Sequence, residues 1–324
     1  MHTKGFLFGI AIGDALGVPV EFMSRKHLKV NPVTYMRDYG THHQPAGTWS
    51  DDSTMSFLLV EQLIEGYDVE GLGKKFCQWY QYNYWTPHGE IFDMGVATRN
   101  AMDKIAKGIS ALKSGECDDY SNGNGSLMRI LPLAIYLRDK PIDQRFDITK
   151  EVSGITHSHI RSVIGCFFAV EFVIQLLKEK DKCDAYYETQ NIVRDYLHLI
   201  NVKSSEIELY NRILFDDISC VPEQDIYSSG YVLHTLEASL WSFLTTNNFK
   251  DAVLKAVNLG DDADTIGSIT GGMAGLFYGY EQIPTEWVEV LAEREKIEQL
   301  GIKFQELGES KTRLKPLTPK TFKQ

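Results

Sequence analysis

Residues 258–279 read NLGDDADTIGSITGGMAGLFYG. Three aspartates and a threonine fall within residues 261–265, and glycines then recur at 267, 271, 275 and 279. A spacing of four puts residues on one face of an α-helix. The stretch therefore predicts a helix with acids at its mouth and one flat side. The N-terminus repeats the pattern with Gly5, Gly9, Gly13 and Gly17. Glycine costs about 1 kcal/mol against alanine in a helix interior, and close approach of a neighbouring backbone is the compensation that a glycine face offers. The two helices are expected at the centre of the fold, against each other.

Outward from these two, the dominant period is helical. Residues 159–178, HIRSVIGCFFAVEFVIQLLK, are apolar around most of the circumference and predict a central helix. More amphipathic stretches fall at 53–65, 68–82, 96–109, 126–138, 184–200, 226–245, 248–258 and 283–306. Alternating strand-like runs are hard to find. The expectation is an all-α, compact single-domain orthogonal helical bundle over residues 1–309. Surface connections are expected at 178–192 and 215–229, and a basic tail, SKTRLKPLTPKTFKQ, at 310–324.

At 324 residues, 43% hydrophobic and 24% charged, the chain is an ordinary globular protein. A net charge of −11 argues against nucleic-acid or anionic-membrane partners. Asp14 interrupts the apolar start, no A-x-A site follows, and no run of 18 apolar residues occurs, so neither a signal peptide nor a membrane span is expected. The five cysteines are scattered and never spaced CxxC, which suits reduced thiols and a cytoplasmic location.

A second acidic cluster mirrors the first. In GTWSDDSTMSFLLVEQLIEG, residues 47–66, Ser50, Asp51 and Asp52 stand just before an apolar helix. Capping explains one or two such side chains at a helix start, not S-D-D-S-T and D-D-A-D-T together. If the two clusters meet, Asp51, Asp52, Asp262 and Asp264 carry four negative charges. Two unit charges about 4 Å apart repel by roughly 4 kcal/mol at an effective dielectric near 20, so the cluster requires protons or cations. Two divalent ions would balance it, and an all-oxygen donor set suits Mg²⁺ or Mn²⁺ rather than zinc.

Other stretches carry weaker signals. Asn-Gly pairs form turns, but NGNGS (122–126) runs into SLMRILPLAIYL, and amides at a helix start suit a pyrophosphate. His157 and His159 form an H-x-H without nearby nitrogen or sulfur partners for a metal, and His159 is expected to start the long helix. The aromatic stretch FCQWYQYNYW (76–85) offers rings for a base, although core packing is the commoner meaning.

The stretches GIAIGDALGVPVEF (9–22), GTWSDDSTMS, NGNGSLMRILPLAI (122–135), THSH (156–159) and NLGDDADTIGSITGGMAGL together resemble the ADP-ribosylglycohydrolases. They occur in that family's order and span most of the chain. The resemblance implies an all-α fold with two Mg²⁺ or Mn²⁺ ions in a central cleft. It implies metal ligation by Ser50, Asp51, Asp52, Asp262, Asp264 and Thr265, with Ser50 where the family more often has Thr. It further implies contacts to ADP-ribose from Gly123, Asn124, Gly125, Ser126, Met128 and His157. Glu21 falls where relatives carry an acid near the metals. Asp261, beside the motif, is read as a capping or supporting group. The implied reaction releases ADP-ribose from a modified protein side chain, arginine favoured over serine. Such glycosidic cleavage passes through an oxocarbenium-like state and needs a carboxylate to take a proton from water. Glu21 is the first candidate and Asp93, in GEIFDMGVATR, the second, with Asp52 completing the catalytic set.

Two alternatives stay open on sequence. Asp262-Ala263-Asp264-Thr265 matches the DxDxT of aspartyl-phosphate phosphatases, where the motif ends a buried strand; the helical spacing of DAVLKAVNLG contradicts that context. A catalytically silent ADP-ribose binder is the other. Retention of oxygen donors at all six ligand positions opposes it.

Overall fold

The computed structural model describes residues 3–178 and 181–313. The long helices are α1 (Thr3–Gly17), α2 (Asp51–Glu65), α3 (Val69–Tyr82), α4 (Val96–Ala106), α5 (Ile142–Gly154), α6 (Ile160–Leu176), α7 (Lys182–Leu199), α8 (Val232–Leu244), α9 (Phe249–Val257), α10 (Ala263–Tyr278) and α11 (Arg294–Arg313). Side-chain caps set several starts: Ser50, Asp68, Asp181 and Asn248 each accept a hydrogen bond from a backbone N–H of the first turn. Among the described residues no β-sheet forms. Two isolated bridges occur, Glu116 with His157 and Gly123 with Tyr231.

The centre is a seam between α1 and α10, which run antiparallel. A Cβ on Gly9 would stand 2.0 Å from the Gly271 carbonyl oxygen, one on Gly13 1.9 Å from that of Gly267, and one on Gly275 2.0 Å from that of Gly5. No side chain of any size fits, so the backbones pack directly and the helix-propensity cost of these glycines is offset. Gly17 meets not a glycine but the backbone of Asp264, whose Cα would lie 2.2 Å from its Cβ. Residues Thr3–Val20 are long and apolar enough to cross a bilayer by composition, yet 94% of that stretch is buried within the protein. Helix α6 is buried over nearly its whole length, as its all-round apolar surface implies.

Several boundaries differ from expectation, each for a visible reason. Gly279 ends α10 with φ +88°, a conformation that favours glycine, and its backbone still meets the seam, its carbonyl carbon 3.0 Å from where a Cβ of Gly5 would stand. Residues 126–132 form turns rather than helix, and the helix begins only at Leu133. Residues 226–231 are extended because they pair with the 122–124 loop: Asn124 N–H donates to the Gly230 carbonyl (3.0 Å) and Val232 N–H to that of Asn122 (3.0 Å). The stretch 283–306 is split into Thr285–Val290 and α11, where Ala292 N–H leaves the helix to donate to the Gly47 carbonyl (3.0 Å). The connection expected at 178–192 is already helix from Lys182, and α5 was not anticipated. Helix α11 continues to Arg313, past the expected start of the tail, and residues 314–324 lie outside the described residues.

Candidate metal centre and cleft

The seam delivers the C-terminal end of α1 to the N-termini of α2 and α10. Asp14, fully buried on α1, accepts from Ser50 N–H (3.0 Å), Ser53 N–H (3.0 Å) and Ser53 Oγ (2.6 Å), and so anchors the start of α2. Burial pushes its carboxyl up to about 7 against these hydrogen bonds. In the sequence Asp14 registers only as a break in an apolar run; its anchoring role was missed.

The two acidic clusters do meet. Thr265 Oγ1 on α10 donates to Asp52 Oδ2 on α2 across 3.4 Å. Ser50 Oγ accepts from Asp52 N–H (3.3 Å) and donates to Asp52 Oδ2 (3.2 Å). Asp52 Oδ1 is buried with no protein partner among the described residues. Asp51, Asp52, Asp264 and Thr265 are all buried. Asp262 accepts from Asn124 Nδ2 at 2.6 Å. Asp261 turns away, its Oδ2 accepting from Ser228 Oγ (3.2 Å) while its backbone exchanges bonds with Phe22 and Met23; it is a supporting residue.

Glu21 and Asp93 join this group. One carboxylate oxygen from each of Glu21, Asp93 and Asp264 lies within 4.8 Å of the other two. Glu21 is buried just after the 3₁₀ turn Val18–Val20 that follows α1, and burial raises it to about 7. His42 bonds to its Oε2, and Thr41 Oγ1 donates to its carbonyl (2.7 Å), so the 40–42 loop holds the segment in place. The Glu21 contact in turn raises the His42 imidazole above its ordinary value. Burial, followed by the neighbouring carboxylates, drives Asp51, Asp52 and Asp264 well above the usual range. Burial also raises Asp93 and Asp262. Acids gathered in one place with an orphaned buried oxygen on Asp52 fit a hard divalent cation. The carboxylates whose oxygens stand close enough together to share one are Glu21, Asp93 and Asp264, of which only Asp264 is among the expected ligands Ser50, Asp51, Asp52, Asp262, Asp264 and Thr265.

Beside the acids opens a cleft of about 520 Å³. Of the expected residues, Glu21, Asp51, Asp52, Asp93, Gly123, Asn124, Gly125, Met128, His157, Asp262 and Thr265 line it. Ser126 does not; its side chain turns into the core, bonded to Ser153 Oγ (2.9 Å). Because the helix begins at Leu133, the anion-binding argument from a helix start at NGNGS fails; the glycines serve instead to make room. A Cβ on Gly125 would come within 2.8 Å of the His157 ring. His159 caps α6, its Nδ1 accepting from Arg161 N–H (3.2 Å). From the aromatic stretch 76–85, Phe76, Trp79 and Trp85 are buried in the core and none of the stretch lines this cleft. The rings that do are Phe22 and Tyr120, both exposed and both missed. Phe22 had a signal in its place directly after Glu21; Tyr120 had none. The phosphatase alternative falls here, since α9 rather than a strand leads into Asp262.

Residues 2–313 match the family model described as ADP-ribosylglycohydrolase. The ADP-ribosylarginine hydrolase Tri1 of Serratia proteamaculans is 33% identical over 301 residues, covering 92% of this chain and 77% of that protein. The ADP-ribosyl-[dinitrogen reductase] glycohydrolase of Rhodospirillum rubrum is 27% identical over 302 residues, 90% of each chain. A solved structure titled "ADP-ribosylglycohydrolase-related protein complex" superposes with a TM-score of 0.78 at 27% identity, covering 95% of this chain and 98% of that one.

Proposed function

With this chain belonging to the ADP-ribosylglycohydrolase family, we propose that it is the hydrolase that frees ADP-ribose from modified arginine, using two divalent cations, Mg²⁺ or Mn²⁺. The chain is an enzyme that cleaves ADP-ribose from modified residues. Arginine is the favoured acceptor because both the Serratia and the Rhodospirillum relatives are named for ADP-ribosyl hydrolysis, the first explicitly on arginine. The observation that carries the metal reading is the meeting of Asp52 with Thr265, which joins two acidic helix starts into one buried, all-oxygen cluster.

Cleavage requires a water oxygen to bond to ribose C1 as the bond from C1 to the guanidine nitrogen breaks, with one water proton lost and one proton gained by the leaving nitrogen. Bound divalent cations would orient ribose hydroxyls and acidify a bound water. Glu21 is the first candidate to take the proton: it faces the cleft, it is held by His42, and its carboxylate lies within the group it forms with Asp93 and Asp264. Asp93 lies within the same group of carboxylates and is the second. Asp52, whose Oδ1 has no protein partner among the described residues, would hold a cation and orient a water. Gly123, Asn124, Gly125, Met128 and His157 line the cleft beside the acids and would contact ADP-ribose, whereas Ser126 is buried away from it. Five free thiols suit a reducing compartment, and we place the protein in the cytoplasm, with neither nucleic acid nor membrane as partner.

The test is release of free ADP-ribose from an arginine-linked mono-ADP-ribosylated peptide with Mg²⁺, with Mn²⁺ and with EDTA. Metal-dependent release is expected. Release from a serine-linked peptide alone would overturn the choice of acceptor, and undiminished release in EDTA would overturn the role of the cations.

A further inference from the structure

Beneath the NGNGS turn lies Arg129, a fully buried cation with no carboxylate partner among the described residues. Its Nη1 bonds to the Gly125 carbonyl, and its Nη2 donates to the Val152 carbonyl (3.2 Å) and to Thr156 Oγ1 (2.8 Å). Thr156 is itself fully buried, and its Oγ1 lies 2.8 Å from His157 Nδ1. A hydroxyl has one proton to give. Arg129 can only donate, and Thr156 Oγ1 could also accept from an Nδ1–H, but its own buried proton would then have no acceptor among the described residues; the arrangement that satisfies it is donation to His157 Nδ1. An Nδ1 that accepts cannot carry hydrogen, which leaves the ring proton on Nε2. Nε2 has no protein partner among the described residues and faces the cleft, 3.4 Å from where a Cβ of Gly123 would stand. Burial, and then the Arg129 charge, push the imidazole down to about 3, so it is neutral at working pH.

We propose that Arg129 and Thr156 are positioning residues that lock His157 as the neutral Nε2–H tautomer, so that the ring presents one fixed hydrogen-bond donor to an oxygen of the bound ADP-ribose. The identity of the ligand rests on the proposed function; the tautomer does not. A neutral donor suits this place, because a guanidinium already lies behind the ring and a second charge there would be repelled. The buried arginine therefore serves the cleft without entering it.

The test uses full-length protein labelled with ¹⁵N at histidine, with Mg²⁺ present, and reads long-range ¹H–¹⁵N correlations. His157→Asn identifies the His157 signals by their loss. The wild type is expected to show His157 as a single neutral species protonated on Nε2. In Thr156→Val that species should give way to a tautomer mixture, with ADP-ribose bound about tenfold more weakly and kcat changed much less than KM. Thr156→Ser, which keeps the hydroxyl and controls for packing, should restore both spectrum and affinity. A wild-type His157 protonated on Nδ1 would overturn the proposal, as would an unchanged spectrum and affinity in Thr156→Val. Absence of turnover in a wild type showing the Nε2–H spectrum would instead count against the enzymatic reading alone.

Discussion

Helices α1 and α10 meet twice, and the two meetings obey opposite rules. Along the seam, glycines remove every side chain, and backbone carbonyls sit where a Cβ would have to go, 1.9 to 2.4 Å away at Gly5, Gly9 and Gly13. One turn further on, at the cleft, the same pair brings Asp14, Glu21 and Asp264 close to Asp51 and Asp52 of α2, and the crowding is of like charges. The first region stabilises the fold by close packing. The second stores repulsion that cations are placed to relieve. The seam is thus the device that holds the acids together against their own charge, and variants of the two regions should behave differently.

The largest effect is expected from removing the cluster's charge. Asp52→Asn with Asp264→Asn should lower turnover by at least about a thousandfold, the several kcal/mol that metal chemistry supplies, while leaving the helical circular dichroism intact. In EDTA the same double variant should melt at a higher temperature than the wild type, because two mutually repelling buried carboxylates have gone. Near-normal activity would break the comparison at its functional end. Next in size, Gly13→Ala should destabilise the protein by about 3 kcal/mol or more, since the obstacle is the backbone of Gly267 rather than a side chain that can move. A loss under 1 kcal/mol, measured by urea unfolding, would show that the seam is softer than its geometry.

The pH dependence of the metal-free protein sharpens the contrast. Asp14 and Glu21 are both raised to about 7 from ordinary values near 4. Over that window the folded state holds protons that the unfolded chain has released, so stability should be full below the lower value and fall as pH rises toward 7. Thermal melts in EDTA should therefore give a higher midpoint at pH 5 than at pH 8, and added Mn²⁺ should narrow or reverse the difference. A midpoint rising with pH in EDTA would contradict the stored repulsion. Smallest is Gly154→Ala at the end of α5, where a Cβ meets nothing closer than 3.8 Å. It should raise stability by about 0.5–1 kcal/mol, the opposite sign from Gly13.

Much of this was legible in the sequence because it rests on spacing. Four-residue glycine repeats revealed the seam, and the paired acidic helix starts raised the question of a cluster; that they meet, through Thr265 and Asp52, is seen only in the fold. What was not legible depends on packing with no apolar signature. Helix α7 was expected over 184–200, but its first turns read as a connection because Thr189 and Gln190 stand at core positions beside Ala185, Tyr186 and Val193. Helix α5 likewise buries Phe146, Thr149, Val152 and Ser153. At the site, Asp14 and His42 act through contacts made across loops, which no local pattern records. The turn at 126–132 was mistaken for helix because most of its residues are apolar and buried, as helix residues would be, while its backbone forms successive turns.

The central claim is that residues from α2 and α10 build one cation centre. Calorimetric titration of Mn²⁺ into EDTA-treated wild type, Asp52→Asn and Asp264→Asn tests it most directly. Two ions per chain are expected in the wild type, with either single substitution weakening both, since each ion would draw on carboxylates from both helices. Unaltered binding in both variants, or no binding in the wild type, would contradict a shared centre.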